Sequence, residues 1–191
     1  HSSSERDYLQ RVTDFDKANC ARVAKKWGQD YWDGGRQFGY GGYSYDGRWH
    51  IVAKSMIEHY GIKPGDRILD VGCGKGYLLY EFTQLLPDIE ITGIDISQYA
   101  IECGKSEIKT NLLVASATSL PLPDNSQDFV VSITTLHNLK NFDLFKSLME
   151  INRVSKNHQA HITVESYRNE REKANLLYWQ LTCETFYTPD E

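Results

Sequence analysis

The sequence predicts a single α/β domain built on a doubly wound, mostly parallel sheet with helices on both faces. Three observations predict it. From Gly65 onward, short apolar runs bounded by turn residues alternate with longer amphipathic stretches, as strands buried on both faces require. The length of 191 residues suits one domain with a real core. The first apolar run also leads straight into a glycine-rich turn that opens a helix, in ILDVGCGKGY (Ile68 to Tyr77).

The elements follow in order. Tyr8 to Trp27 reads as helical, with Leu9, Val12, Phe15, Ala18 and Val23 at three- and four-residue steps. Gly28 to Gly47 is a connection rich in glycine and tyrosine. Val52, Met56, Ile57 and Tyr60 form the apolar stripe of a helix, and Gly61 is its expected C-cap. After the KPGD turn, the strand RILDV precedes a helix from Tyr77 to about Leu86. The strand IEITGID, a helix from Gln98 to Glu107 and the strand LLVASA come next. DFVVSIT is the fourth strand, followed by a helix over Asn141 to Lys156. HITVES is the fifth, followed by a helix over Asn169 to Cys183. The chain thus divides into an N-terminal helical and lid segment, 1–64, and a core, 65–191.

Composition narrows the function. No apolar run approaches the roughly 18 residues of a membrane span, and a net charge of −5 disfavours broad nucleic-acid binding. Cys20, Cys73, Cys103 and Cys183 lack CxxC spacing and read as reduced intracellular thiols, with neither a structural metal nor a disulfide framework. The expected location is cytoplasmic. The opening HSSS resembles the remnant of an expression tag and is set aside.

Chemistry begins at the end of the first strand. Asp70 stands there, and Gly72, Gly74 and Gly76 let the backbone approach a ligand closely. A dinucleotide fingerprint GxGxxG needs glycine at position 77, which is Tyr77, so the pattern is DxGxGxG and a nicotinamide oxidoreductase is disfavoured. Asp95 ends the second strand, where a carboxylate can take both hydroxyls of a ribose.

Four segments in order carry a resemblance: ILDVGCGKG, ITGIDIS, SATSLPLPDNSQDFVVS and ITTLHNL. Over roughly Gly65 to Ser166 the chain resembles the class I S-adenosylmethionine-dependent methyltransferases, a family of Rossmann-like fold. The resemblance implies S-adenosyl-L-methionine as cofactor. It implies that Asp70, Gly72, Cys73, Gly74 and Gly76 line the methionine portion, that Asp95 binds the ribose and that Ile96 packs on the adenine face. It further implies Ser116, Ala117 and Thr118 at the adenine edge, and Thr134 and Thr135 beneath the sulfonium. Many relatives carry an acid where Ser116 stands, so the adenine amine falls to backbone groups here. The chain's end departs as well. TPDE (Thr188 to Glu191) is a capping-box pattern announcing a helix, and the family has two more strands there, so a truncated C-terminus is expected.

The acceptor side is read from position. His137 lies just past the fourth strand as first candidate for a general base, and Glu165 ends the fifth strand as the second. The stretch GYGGYSYDGRW (Gly39 to Trp49) is expected to close over the acceptor, with Tyr40, Tyr43 and Trp49 as its wall. Arg36 and Arg48 are expected to hold an acidic group. The expected activity is therefore methyl transfer to the oxygen of a small acidic or phosphorylated molecule. Transfer to nitrogen or carbon, or a non-catalytic module of the same fold, are the alternatives. The expected partners are the small-molecule acceptor and, as an open option, a second copy in a homodimer, without nucleic acid or membrane.

Overall fold

A computed structural model describes residues 8–190. Its centre is a parallel sheet of β1 (Arg67–Val71), β2 (Glu90–Asp95), β3 (Leu112–Val114), β4 (Phe129–Ile133) and β5 (Ala160–Thr163), in the order β3-β2-β1-β4-β5. Ile68 of β1 stands opposite Ile91 on one side and Phe129 on the other. The chain moves outward through β2 and β3, then crosses back to β4 and β5. The order therefore reverses between β1 and β4, and a crevice opens beyond the strand ends at that point.

Side-chain alternation along β1 sorts the core. Ile68 joins Met56, Leu79, Phe82 and Phe129 on one face, whereas Leu69 and Val71 join Leu136, Ile151 and Val154 on the other. The first face is covered by α4 (Trp49–Tyr60) and α5 (Tyr77–Leu85), and the second by α7 (Asn141–Val154). Gly61 ends α4 in the left-handed region at φ 66°, which a side chain would resist.

All five expected strands form, and several helices are shorter than expected. The Tyr8 to Trp27 stretch divides into α1 (Tyr8–Asp14) and α2 (Lys17–Ala24), because the Asp16 carboxylate accepts the Asn19 amide at 2.6 Å and starts a new helix. A short α3 (Gln29–Trp32) follows within the glycine-rich connection. The Gln98 to Glu107 helix stops as α6 (Gln98–Glu102), ahead of Gly104, and continues as a 3-10 turn over Ser106–Asn111. The last helix is α8 (Glu170–Trp179), with the Asn169 side chain capping its start. Pro189 and Asp190 form a turn. The HSSS stretch and Glu191 of the capping-box pattern lie outside the described residues. No helix among the described residues is long and apolar enough to cross a membrane.

Candidate active site

The glycine turn after β1 is built around close approaches. Gly72 sits at φ 85° and donates its amide to the Ile94 carbonyl at 2.6 Å, tying the ends of β1 and β2 together. Gly74, at φ 55°, faces the Trp32 ring, which a Cβ at that position would approach to 2.9 Å. Asp95 is 9% exposed and lines the crevice. Its two oxygens accept the amides of Gly74 and Ser97, each at 2.8 Å. With the Ile96 amide also directed at the group, these backbone bonds take up part of the roughly four acceptor positions of a carboxylate and leave at least one for a ligand. Burial raises the Asp95 carboxyl above its ordinary range, against the lowering effect of those amides.

Asp70 is 5% exposed, and none of the described residues hydrogen-bonds its side chain. Burial, with the Asp95 charge adding to it, pushes its carboxyl up to about 8. Two buried acidic side chains thus stand near each other, Asp95 in the lining of the cleft and Asp70 behind it, and each raises the cost of ionising the other. The sign of the linkage follows. Between roughly pH 4, the unfolded value, and pH 8, the native carboxyl keeps a proton that the unfolded chain has lost, so Asp70 subtracts from stability as pH rises through that window. A cationic ligand favours the ionised form, so binding S-adenosyl-L-methionine at pH 7 should expel up to about one proton. Calorimetry in buffers of different ionisation enthalpy measures that release, which Asp70→Asn should abolish.

The cleft beyond β1 and β2 has a volume of about 140 Å³. Gly72, Asp95, Ile96, Ser116, Ala117 and Thr134 line it, as do Thr135 and Asn138. Ile96 is 61% exposed, an apolar platform left open at a strand end. Asp70, Cys73, Gly74, Gly76 and Thr118 do not line it: Asp70 is buried behind the Gly72 turn, and Thr118 shares a 2.9 Å hydrogen bond with the Ser116 hydroxyl. Opposite the strand ends stands an aromatic panel of Trp27, Tyr31, Trp32 and Tyr40. Trp32 stacks on Tyr40 with centroids 5.3 Å apart and donates its indole N–H to the Ser97 hydroxyl at 2.9 Å.

A larger chamber of about 860 Å³ adjoins the cleft and shares Tyr31, Tyr40, Thr134 and Asn138 with it. Thr134 at the border holds a left-handed backbone, φ 52°, a strained conformation for a β-branched residue. Glu165 and His137 both line the chamber. His137 is 3% exposed, and burial lowers its imidazole to about 4. Its Nδ1 accepts the Glu165 amide at 3.3 Å, which leaves the proton on Nε2 and makes the ring a donor there. The Glu165 carboxylate has no hydrogen-bond partner among the described residues, and burial raises its carboxyl.

Of the expected acceptor residues, Arg36 and Tyr40 line the chamber. Arg36 donates to the carbonyls of Gly39 and Tyr40 at 3.0 and 2.6 Å, and so shapes the loop. Tyr43, Arg48 and Trp49 line neither cavity. Arg48 grips its loop neighbour Asp46 with Nε and Nη2, at the surface. Tyr43 packs between Tyr40 and Tyr77, and its hydroxyl accepts the Trp49 indole N–H at 3.2 Å. Trp49 itself packs against the core beneath α4. The sequence reading missed Trp27, Tyr31, Trp32 and Asn138. The aromatic density of Trp27, Tyr31 and Trp32, at and just inside the start of the glycine-rich connection, was the available signal.

A family model described as a methyltransferase domain matches residues 69–162. A demethylmenaquinone methyltransferase from Symbiobacterium thermophilum is 33% identical over 118 residues, 58% of this chain and 46% of that protein. The chain spans about half the length of the curated relatives it matches. A crystal structure from Methanococcus maripaludis, described as an S-adenosyl-L-methionine-dependent methyltransferase, aligns with TM-score 0.55 at 17% identity, covering 93% of this chain and 73% of that one. The [4+2]-cyclase SpnF aligns with TM-score 0.57 at 23% identity, covering 82% and 60%. These two likenesses concern the fold, which serves more than one chemistry.

Proposed function

The chain belongs, through its domain at residues 69–162, to the class I S-adenosylmethionine-dependent methyltransferases, and on that premise we propose that it methylates a small molecule, on oxygen. The observation that carries the proposal is that the two cavities share Tyr31, Tyr40, Thr134 and Asn138 in their linings, so a cleft for the cofactor would lie directly beside a chamber for the acceptor. When bound, the cofactor supplies a methyl group activated on a sulfonium. Asp95 would hold the ribose with its remaining acceptor capacity, Ile96 would support the adenine, and Asp70, buried behind the cleft, would balance the cationic end. The donor set and the charge therefore fit the group.

The residues of the chamber do the rest. Tyr31 and Tyr40 exclude water from the junction, where alignment of the two reactants governs the rate. Glu165 takes the acceptor's proton, since its carboxylate is uncommitted. His137, neutral and bonded to the Glu165 amide, holds that base in place. The acidic or phosphorylated acceptor expected from two arginines now rests on Arg36 alone, because Arg48 is bound to Asp46 outside the chamber. We favour an acceptor whose reacting group is a hydroxyl.

Calorimetry tests the reading. S-adenosyl-L-methionine and its demethylated product should bind, and NAD should show no comparable heat. Asp95→Ala should weaken binding by about 1–3 kcal/mol, the loss expected for hydrogen bonds to a charged group. Equal affinity in that variant removes the ribose assignment. Methyl transfer to a panel of small phenols, alcohols, amines and carboxylates, followed by mass, then names the acceptor atom.

A further inference from the structure

Asp33 follows α3 and belongs to no recognisable motif, yet it collects four hydrogen bonds. Lys75 Nζ donates to both of its oxygens at 2.9 and 2.7 Å, the Tyr43 amide donates at 3.0 Å, and the Tyr99 hydroxyl donates at 2.8 Å. Lys75 is 5% exposed and also donates to the Tyr43 carbonyl at 2.8 Å, which the Tyr77 hydroxyl reaches at 3.2 Å. Lys75 lies between Gly74 and Gly76, so the glycine turn itself is fastened to the N-terminal segment. Asp33 directly follows Trp32, whose ring faces Gly74 and stacks on Tyr40. Lys75 is the buried member of this pair, while the Asp33 side chain keeps 28% of its exposure, so removing the carboxylate leaves a buried ammonium without its counter-charge.

We propose that Asp33 and Lys75 form a latch that positions the aromatic panel of Trp32 and Tyr40 over the cofactor cleft. The inference rests on the methyltransferase reading for the identity of the ligand and on geometry alone for the latch. Burial acts to raise the Asp33 carboxyl, but the bonds from Lys75, Tyr43 and Tyr99 outweigh it and hold the group below its ordinary range, so Asp33 is ionised at neutral pH. Asp33 acts through the panel and is a positioning residue.

The test uses Asp33→Asn, Lys75→Met, their combination, and Tyr99→Phe as a mild variant that removes a single hydroxyl. Acrylamide quenching of tryptophan fluorescence reads the panel in ligand-free protein. Titration with S-adenosylhomocysteine reads affinity. Asp33→Asn should raise quenching and weaken affinity roughly tenfold, the scale of one lost charged hydrogen bond, with Tyr99→Phe in between. The double variant should be no worse than the singles, because both remove one interaction. Wild-type quenching in Asp33→Asn overturns the latch, as does a double variant whose losses simply add. Should Asp33→Asn fail to fold, unchanged quenching and affinity in Tyr99→Phe overturn it equally. If wild-type protein binds no S-adenosylhomocysteine, the methyltransferase reading fails while the quenching comparison still decides the latch.

Discussion

Glu165→Gln should lower turnover roughly 10²–10⁴-fold, the usual contribution of a general base, with S-adenosylhomocysteine affinity unchanged. The substitution keeps size and shape and removes only the ability to accept a proton. His137 is the informative control. Its Nδ1 is already taken by the Glu165 amide and its imidazole is lowered to about 4, so His137→Gln should reduce turnover far less and stability more. The pH profile adds a sign. A base works when deprotonated, so turnover should fall as pH drops through the raised Glu165 value. Full loss of turnover in His137→Gln beside near-normal Glu165→Gln would restore the imidazole as the base.

Gly72→Ala should be the most damaging single methyl in the cleft. The backbone there is left-handed, and the new Cβ would lie 2.1 Å from the Thr135 hydroxyl oxygen and 2.6 Å from its Cβ. A left-handed alanine costs about 1–2 kcal/mol, and forced overpacking adds about 1–3 kcal/mol. The Thr135 side chain also lines the cleft, so cofactor affinity should fall along with the melting temperature. Thr135→Gly in the same chain should relieve the clash and leave the backbone penalty. A Gly72→Ala protein with wild-type melting and affinity would contradict the close approach between β1 and β4.

The strands were legible because a parallel strand buried on both faces is a continuous apolar run, as RILDV and DFVVSIT are. Asp95, which lines the cleft, was visible for a related reason, since a carboxylate closing an apolar strand is conspicuous; Asp70 was equally conspicuous, yet it lies buried outside the lining of either cavity. Helix lengths were less so: Asp16 and Gly104 interrupt periodic stretches through local hydrogen bonding that periodicity does not weigh. Arg48 was misplaced because its partner, Asp46, sits two residues away, and a local ion pair competes with any distant ligand. Asp33 and Lys75 stand 42 residues apart, and nothing in either local pattern pairs them. Glu165 and His137 were both visible, but only their mutual hydrogen bond ranks them.

Thr134 has a consequence for anyone improving the protein. A β-branched side chain held in the left-handed region stores on the order of 1–3 kcal/mol, and it does so where the two cavities join. A library selected only for heat tolerance would be drawn to glycine or asparagine at this position, since either relaxes the backbone. The same relaxation loosens the border that the two cavities share. Position 134 is therefore a place where thermal robustness and catalytic competence pull in opposite directions, and variants there should be ranked on both scales at once.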